Sequence, residues 1–170
     1  MTRVLIGLGS NLGDRAANLI AAAQQVGCWA PVLSASRIYE TEPMYQLDQP
    51  PFLNAAILVE TLAGPLPLLR KLKDVEADIG RLPRQRNGPR EIDLDLIAYG
   101  NLQYRFRMGP DSVLEVPHPR LVERAFVLQP LADIDPEWYL PPFGQVAELL
   151  AATKGRGGNV VEWNNAELPV

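Results

Sequence analysis

Apolar and polar positions follow two different periods along the first hundred residues, and these periods predict an order of strands and helices. Apolar or β-branched runs indicate four strands, at 4–8, 32–40, 52–62 and 92–99. Apolar residues recur at helical spacing in 15–26 and 65–79, and a glycine follows each segment. The order β-α-β-β-α-β is that of a ferredoxin-like α+β sandwich, in which helices pack on the faces of a mainly antiparallel sheet.

The pattern is less regular beyond Tyr99. A short strand is predicted at 113–116 and a last helix at 146–153, whereas the segment between them shows no clear period. The chain's sixteen prolines are scattered, which favours ordered loops over an interdomain linker. A length of 170 residues suits one domain, so we expect residues 1–170 to fold as a single unit.

Composition narrows the class of partner. A net charge of −4 disfavours general nucleic-acid binding, although eight of the thirteen arginines fall between 81 and 124, where they can attract an anion. No apolar stretch is long enough to span a membrane, and the N-terminal apolar run is too short for a signal peptide. The single cysteine, Cys28, excludes an intramolecular disulfide. We therefore expect a cytoplasmic protein in which Cys28 is buried.

Two carboxylates interrupt the apolar run at 92–99. Because residues two apart on a strand face the same side, Asp93 and Asp95 project together, while Ile92, Leu94 and Leu96 project into the core. Two like charges about 7 Å apart repel by on the order of 2 kcal/mol at an effective dielectric near 20. Either a solvated edge with nearby arginines or a pair of Mg²⁺ ions offsets this repulsion.

A run of arginines precedes this strand. Residues 81–90 contain no acid and four arginines, namely Arg81, Arg84, Arg86 and Arg90. The run is either a solvated surface with ion pairs or a grip for phosphate groups, for which the arginine guanidinium is suited. Paired carboxylates beside such a loop are typical of phosphoryl-transfer sites. Downstream, His118 lies near two more arginines, and it is either a hydrogen-bonded structural residue or a phosphate contact.

The glycine-rich segment "GLGSNLGD" does not have the spacing of a dinucleotide-binding loop, because its glycines stand at 7, 9 and 13. It lacks the lysine of a phosphate-binding loop as well. We expect Ser10, Asn11 and Asp14 to form a turn and to cap the first helix.

A second polar position, Asn54, shares a strand face with Phe52. An asparagine amide presents a donor beside an acceptor, which matches the amide edge of a purine-like or pterin-like ring. A phenylalanine next to it can stack on that ring. The alternative is an asparagine at a turn end and a phenylalanine in the core.

Taken in order, these segments resemble one family. The segments "GLGSNLGD", "YETEPM", "DQPPFLNAA", "GPREIDLDLIAYG" and "VPHPRLVERAFVLQPL" are similar to those of 6-hydroxymethyl-7,8-dihydropterin pyrophosphokinases. The resemblance implies transfer of pyrophosphate from ATP to the pterin's hydroxymethyl group, with release of AMP, in folate biosynthesis. It implies two Mg²⁺ ions, small-molecule substrates and a monomer.

The resemblance also implies roles for individual residues. Asp93 and Asp95 bind the metals and form the catalytic set with Arg81 and Arg84. The pterin pocket is implied for Thr41, Pro43, Met44, Phe52, Asn54 and Phe126. ATP contacts are implied for Glu76, Arg90, Leu96, His118 and Arg124, with Leu96 acting through its backbone. We expect Arg81 and Arg84 to close on bound substrates, whereas Arg90 holds phosphate in the ground state.

The chain departs from the family at Asn87, where a tryptophan is common, and at Pro119, where some members have a tyrosine. Two other functions remain open. One is a different two-metal phosphotransferase or a nuclease, although a nucleic-acid substrate calls for more basic surface. The other is a non-catalytic ligand-sensing domain of ferredoxin-like form, which leaves the carboxylate pair unexplained.

Overall fold

A six-stranded antiparallel sheet forms the centre of the computed structural model, which describes residues 1–84, 86–154 and 158–170. Gln85, within the arginine loop, lies outside the described residues. The strands are β1 (Thr2–Ser10), β2 (Val32–Ala35), β3 (Tyr39–Thr41), β4 (Phe52–Thr61), β5 (Asp93–Tyr99), β6 (Tyr104–Gly109), β7 (Ser112–Val116), β8 (Tyr139–Leu140), β9 (Gly144–Gln145) and β10 (Val160–Glu162). The helices are α1 (Arg15–Gly27), α2 (Pro65–Asp78), α3 (Ala125–Ile134) and α4 (Val146–Ala152), with a short 3-10 turn at Leu121–Glu123.

The strand order in the main sheet is β10-β3-β4-β1-β5, and β2 pairs with β4. All of these pairs are antiparallel. The pairs β6-β7 and β8-β9 form two small separate sheets. The predicted antiparallel sheet with helices is confirmed. None of the helices in the described ranges combines the length and the apolar character needed to cross a membrane.

Alternation along β1 divides the core between the two faces of the sheet. Val4, Ile6 and Leu8 pack on one face with apolar side chains of α1 and α2. Leu5 packs on the other face with apolar side chains of α3 and α4. Ile92, Leu94 and Leu96 are buried in the first core, as their alternation predicts.

The helix layer on the second face covers only part of the length of the strands. The core beneath α3 and α4 includes Leu5, Leu58 and Ile97. Further along the same strands, Gly9 and Asn54 line a cavity instead. The site therefore lies where strands extend beyond the helix layer that covers them.

The predicted strand at 32–40 is wrong, because the structure divides it into β2 and β3. Between them, the Ser36 Oγ accepts a hydrogen bond from the Ala56 N–H at 2.8 Å and donates one to the Arg37 carbonyl at 2.7 Å. A side-chain hydroxyl thus replaces a backbone acceptor, and the strand pairing is interrupted. The spacing of apolar residues in the sequence does not predict that a serine hydroxyl will replace a backbone hydrogen-bond acceptor.

Two further expectations were wrong or incomplete. Cys28 is exposed, because it follows the last turn of α1 on the outer side of the fold. Helix α3 occupies part of the segment without a clear period and contains Pro130, a residue that disfavours helix interiors. Tertiary packing of Leu128 and Leu131 against the sheet outweighs that preference.

Candidate active site

Residues of three adjacent strands form two rows across the part of the sheet that α3 and α4 do not cover. The strand register places Gly9 of β1 between Asn54 of β4 and Asp93 of β5. The next row consists of Ala56, Gly7 and Asp95. The asparagine and both carboxylates that the sequence singled out therefore share one face, with only glycine between them.

A cavity of about 420 Å³ opens above these rows. Its lining includes the apolar and uncharged polar residues Thr41, Met44, Phe52, Asn54 and Phe126. The lining also includes the charged residues and the histidine, namely Arg81, Arg84, Arg86, Arg90, Asp93, Asp95, His118 and Arg124. Among the described residues, three of those singled out in the sequence do not line the cavity, namely Pro43, Glu76 and Leu96. The structure thus brings most of the expected site residues together.

The amide of Asn54 is held in a defined position. Asn54 is only 8% exposed, and its Nδ2 donates a hydrogen bond to the Thr41 Oγ1 at 2.6 Å. Antiparallel pairing of β3 with β4 brings these two side chains together, since Tyr39 pairs with Asn54 and Thr41 pairs with Phe52. Beside them, the Arg90 guanidinium lies 5.0 Å from the centre of the Phe52 ring. The amide is therefore oriented beside an aromatic surface.

The pKa values of the two aspartates on β5 are shifted in opposite directions. The Asp93 carboxylate contacts Arg81 Nη1 at 2.7 Å and Arg90 Nε at 3.1 Å. Burial opposes ionisation of Asp93, but Arg90, Lys73 and Arg81 outweigh it and lower its pKa. Burial, together with the negative charge of Asp93, raises the pKa of Asp95 to about 6. Within the described part of the chain, no residue forms a salt bridge with Asp95.

Glu76 lies behind β5 and supports it. Its Oε1 accepts hydrogen bonds from the Leu94 N–H and from Lys73 Nζ, both at 2.7 Å. Its Oε2 contacts Arg81 Nη1 at 2.7 Å, and the residue is only 4% exposed. Glu76 therefore anchors α2 to the strand that carries both aspartates, and it fixes one end of the arginine loop.

His118 is neutral at pH 7. Burial and the positive charges of Arg124 and Arg120 together lower the pKa of His118 to about 4. Its Nδ1 accepts a hydrogen bond from the Arg120 N–H at 3.2 Å. The proton of the neutral ring is therefore on Nε2, which acts as a hydrogen-bond donor.

Tyr45 lines the cavity and was not singled out in the sequence. The guanidinium groups of Arg120 and Arg124 lie 5.2 and 5.8 Å from the centre of its ring. Arg124 also lies 5.8 Å from the centre of the Phe126 ring. The loop 42–51 is thus tied to the segment that carries His118. No local pattern around Tyr45 predicts these contacts.

Asn11 is a second residue with a role that the sequence did not indicate. Asp14 caps α1 as expected, because its side chain accepts the Ala17 N–H. Asn11 does not cap the helix. Its Oδ1 accepts the Arg90 N–H at 2.9 Å, and its Nδ2 donates to the Gln49 Oε1 and the Pro50 carbonyl at 2.9 and 3.0 Å. Asn11 therefore joins two loops that line the cavity.

Replacing Asn11 is expected to disturb both loops at once. In Asn11→Ala, the half-buried Arg90 N–H and the Pro50 carbonyl lose their hydrogen bonds to the buried Asn11 side chain, at a cost of about 0.5–1.5 kcal/mol for each lost bond. We expect kcat/KM to fall at least about tenfold, or ~1.4 kcal/mol. Asp14→Ala is the matched control, since it removes only a helix cap and should lower Tm without changing kcat/KM. Wild-type kcat/KM in Asn11→Ala would contradict the assigned role.

The sequence of this chain matches a family of known proteins over the segment that contains the site. A family model described as 7,8-dihydro-6-hydroxymethylpterin-pyrophosphokinase (HPPK) matches residues 5–136. The chain belongs to this family. The resemblance inferred from the sequence motifs is thus confirmed, and the HPPK match covers both rows of the site.

Among the relatives of this HPPK-family chain is a 2-amino-4-hydroxy-6-hydroxymethyldihydropteridine pyrophosphokinase of Methylorubrum extorquens. It is 42% identical over 139 residues, which are 81% of this chain and 85% of that protein. The folic acid synthesis protein FOL1 of Dictyostelium discoideum is 37% identical over 157 residues, or 92% of this chain and 23% of that protein. This chain spans only 18% to 25% of FOL1 and of two other relatives, from pea and Pneumocystis carinii.

A solved structure described as HPPK-DHPS in complex with substrates has a similar fold. Its TM-score is 0.73 at 14% sequence identity. The match covers 89% of this chain and 44% of the other. At this identity the similarity concerns the fold alone.

Proposed function

We propose that this protein transfers pyrophosphate from ATP to 6-hydroxymethyl-7,8-dihydropterin in folate biosynthesis and releases AMP. One observation supports this most strongly. A buried amide beside an aromatic ring, at Asn54 and Phe52, shares a cavity with the Asp93–Asp95 pair and five arginines. The first group suits a flat heterocycle with an amide edge, and the second suits a polyphosphate. The names of the relatives support the same reaction.

The donor set fits Mg²⁺, and we propose that two ions bind at Asp93 and Asp95. Both residues offer carboxylate oxygens, the hard ligands that Mg²⁺ prefers. Burial and the negative charge of Asp93 raise the pKa of Asp95 despite nearby cations, and a bound divalent cation would offset this cost of ionisation. When bound, the ions polarise phosphoryl oxygens and offset their charge. Because Arg81 and Arg90 contact Asp93 in this structure, we propose that they turn towards phosphate oxygens when ATP binds.

The reaction forms one bond and breaks one. The hydroxymethyl oxygen attacks the β-phosphorus of ATP, and the bond from that phosphorus to the α-β bridging oxygen breaks. AMP leaves with the bridging oxygen. The hydroxyl proton passes to Asp95 or to solvent. Asn54 and Thr41 hold the ring edge, while Arg84, Arg124 and the Nε2–H of His118 contact phosphate oxygens.

The loop arginines are expected to divide into two kinds. The structure differs from the expectation that Arg81 is held only after closure, because it already contacts Glu76 and Asp93. Arg84 contacts only Glu91, at 2.8 Å near the surface, among the residues that the structure describes. We therefore propose that Arg84 acts on loop closure, whereas Arg81 and Arg90 act in the ground state.

Arg84→Ala is expected to lower kcat at least about tenfold, or ~1.4 kcal/mol. Its affinity for a non-hydrolysable ATP analogue should stay within about threefold, because a contact made on closure acts mainly in the transition state. Arg90→Ala should instead weaken that affinity. Equilibrium titration and single-turnover rates measure the two effects, with Arg107→Ala on β6 as the control. If Arg84 governs affinity and leaves the chemical step unchanged, the division is wrong.

We also propose that residues 1–170 form one pyrophosphokinase domain, since both helix layers pack on the same sheet. The neighbour order β5-β1-β4, with β2 and β3 beside β4, supports a ferredoxin-like arrangement. Because one copy of the chain lines the cavity, we propose that it acts as a monomer on small molecules rather than on nucleic acid. The single cysteine supports a cytoplasmic location.

Calorimetric titration of 6-hydroxymethyl-7,8-dihydropterin tests the proposed function. The pterin is titrated into the protein with and without Mg²⁺ and a non-hydrolysable ATP analogue. We expect saturable 1:1 binding when the analogue and Mg²⁺ are present, and weaker binding when Asn54 is replaced by alanine. Absence of pterin binding under all conditions would refute the proposed substrate.

A further inference from the structure

We infer that Gly7 and Gly9 are specificity-determining positions, which admit the pterin by presenting no side chain on the floor of the cavity. This inference rests on the proposed function. Both glycines lie on β1, the strand between the Asn54 strand and the aspartate strand. The shortest path from the proposed ring-binding side to the carboxylates therefore crosses these two residues.

Neither glycine is required by backbone conformation. Among the described residues, the glycines with positive φ are Gly13, Gly80, Gly100 and Gly144. Gly7 and Gly9 are paired with neighbours on both sides in a central strand, where glycine is disfavoured relative to residues with a side chain. A glycine in such a place often marks the close approach of a ligand. We therefore attribute the two glycines to the space above them, which any side chain at these positions would fill.

Gly9 lies beside the proposed binding position of the pterin ring. A Cβ at this position would lie 3.0 Å from the Asn54 Oδ1 and 3.9 Å from the Phe52 Cδ1. Asn54 has little freedom to move away, because its amide donates to Thr41 at 2.6 Å and the residue is buried. Any side chain at Gly9 would thus take space beside the amide that reads the ring edge.

Gly7 borders the approach to the second carboxylate. A Cβ here would lie 3.4 Å from the Ile97 side chain and 3.9 Å from the Asp95 Cβ. These are ordinary contact distances, so the fold accommodates an alanine at this position. The added methyl group would, however, narrow the space beside Asp95 that the hydroxymethyl arm and the β-phosphate must share.

The two positions therefore predict different kinetic effects. Gly9→Ala should weaken pterin binding at least tenfold, while affinity for the ATP analogue stays within twofold. Gly7→Ala should keep pterin affinity within threefold and lower single-turnover rates at least tenfold. The matched control is Gly109→Ala, which adds a methyl group to β6 at a place with no described atom within 4 Å of the new Cβ. This control should behave as the wild type in every measurement.

The experiment combines calorimetric titration of pterin and ATP analogue, single-turnover rates and thermal unfolding of the full chain. If Gly9→Ala does not fold, Gly7→Ala carries the test, because its new methyl group makes no close contact. Wild-type pterin affinity in folded Gly9→Ala, or wild-type turnover in Gly7→Ala, would overturn the inference and leave the proposed function intact. If the wild type itself binds no pterin, the proposed function fails and the inference fails with it.

Discussion

Asp95→Asn is expected to lower turnover by about 10²- to 10³-fold, a loss of the size seen when an electrostatic group is removed from a preorganised site. The protein should stay folded, because β5 keeps its pairing with β1 and its buried residues Leu94 and Leu96. Asparagine retains the shape of the side chain and removes its charge. The loss is therefore expected to come from weaker metal binding and weaker charge compensation at the transferred group.

The same substitution should stabilise the protein at pH 8. In the folded state, burial and the negative charge of Asp93 raise the pKa of Asp95 to about 6 from an ordinary value of 3.8. Between these two values the folded state binds more protons than the unfolded state, so stability falls as pH rises. Asparagine carries no charge to bury, which favours the variant by on the order of 3 kcal/mol well above pH 6. The difference should vanish below about pH 4.

Thermal unfolding at pH 4 and pH 8, with and without Mg²⁺, measures this effect independently of turnover. Mg²⁺ should raise the Tm of the wild type at pH 8 and should change that of Asp95→Asn much less. Asp111→Asn, at an exposed turn between β6 and β7, is the matched control. A lower Tm for Asp95→Asn at pH 8, or equal stabilisation of both proteins by Mg²⁺, would contradict the assignment.

Asn54→Ala is expected to weaken pterin binding about 100-fold, or ~2.7 kcal/mol, because a buried ring edge then has unpaired donors and acceptors. The Thr41 hydroxyl would lose its partner as well. Affinity for the ATP analogue should stay within about twofold, since the Asn54 side chain is hydrogen-bonded to Thr41 and carries no charge to attract a phosphate.

Titration of each ligand separately checks this prediction. Asn101→Ala, in an exposed turn after β5, serves as the control for loss of an amide. Thr41→Val should give a smaller loss of pterin affinity than Asn54→Ala, because it removes only the contact that orients the amide. Equal losses for pterin and ATP analogue in Asn54→Ala would place this residue outside a pterin pocket.

Local sequence patterns predicted the parts of the site that depend on a single strand. Alternation alone puts Asp93 and Asp95 on the face of β5 opposite Leu94. It likewise puts Phe52 and Asn54 on one face of β4. Placing these two strands on either side of β1 requires the order of the sheet, which the β-α-β-β-α-β pattern indicates. These features could be predicted because they depend on period and on element order.

The remaining features depend on contacts between distant residues. Asn11 joins the loops at 49–50 and 90, and Glu76 accepts a hydrogen bond from the backbone of β5. Because the partners are distant in sequence, no local sequence pattern predicts either role. Ser36 interrupts a strand through a hydrogen bond to β4. Helix α3 forms around Pro130 because its apolar residues cover the sheet. In each case, tertiary structure determines what the individual residue does.

The identity of the nucleotide product tests the central claim most directly. Wild-type protein, ATP, Mg²⁺ and 6-hydroxymethyl-7,8-dihydropterin are combined, and ³¹P NMR follows the products over time. Transfer of the β- and γ-phosphoryl groups together predicts one AMP and one pterin pyrophosphate for each ATP consumed, with no ADP. Formation of ADP, or ATP consumption at a rate that does not depend on the pterin, would contradict the account.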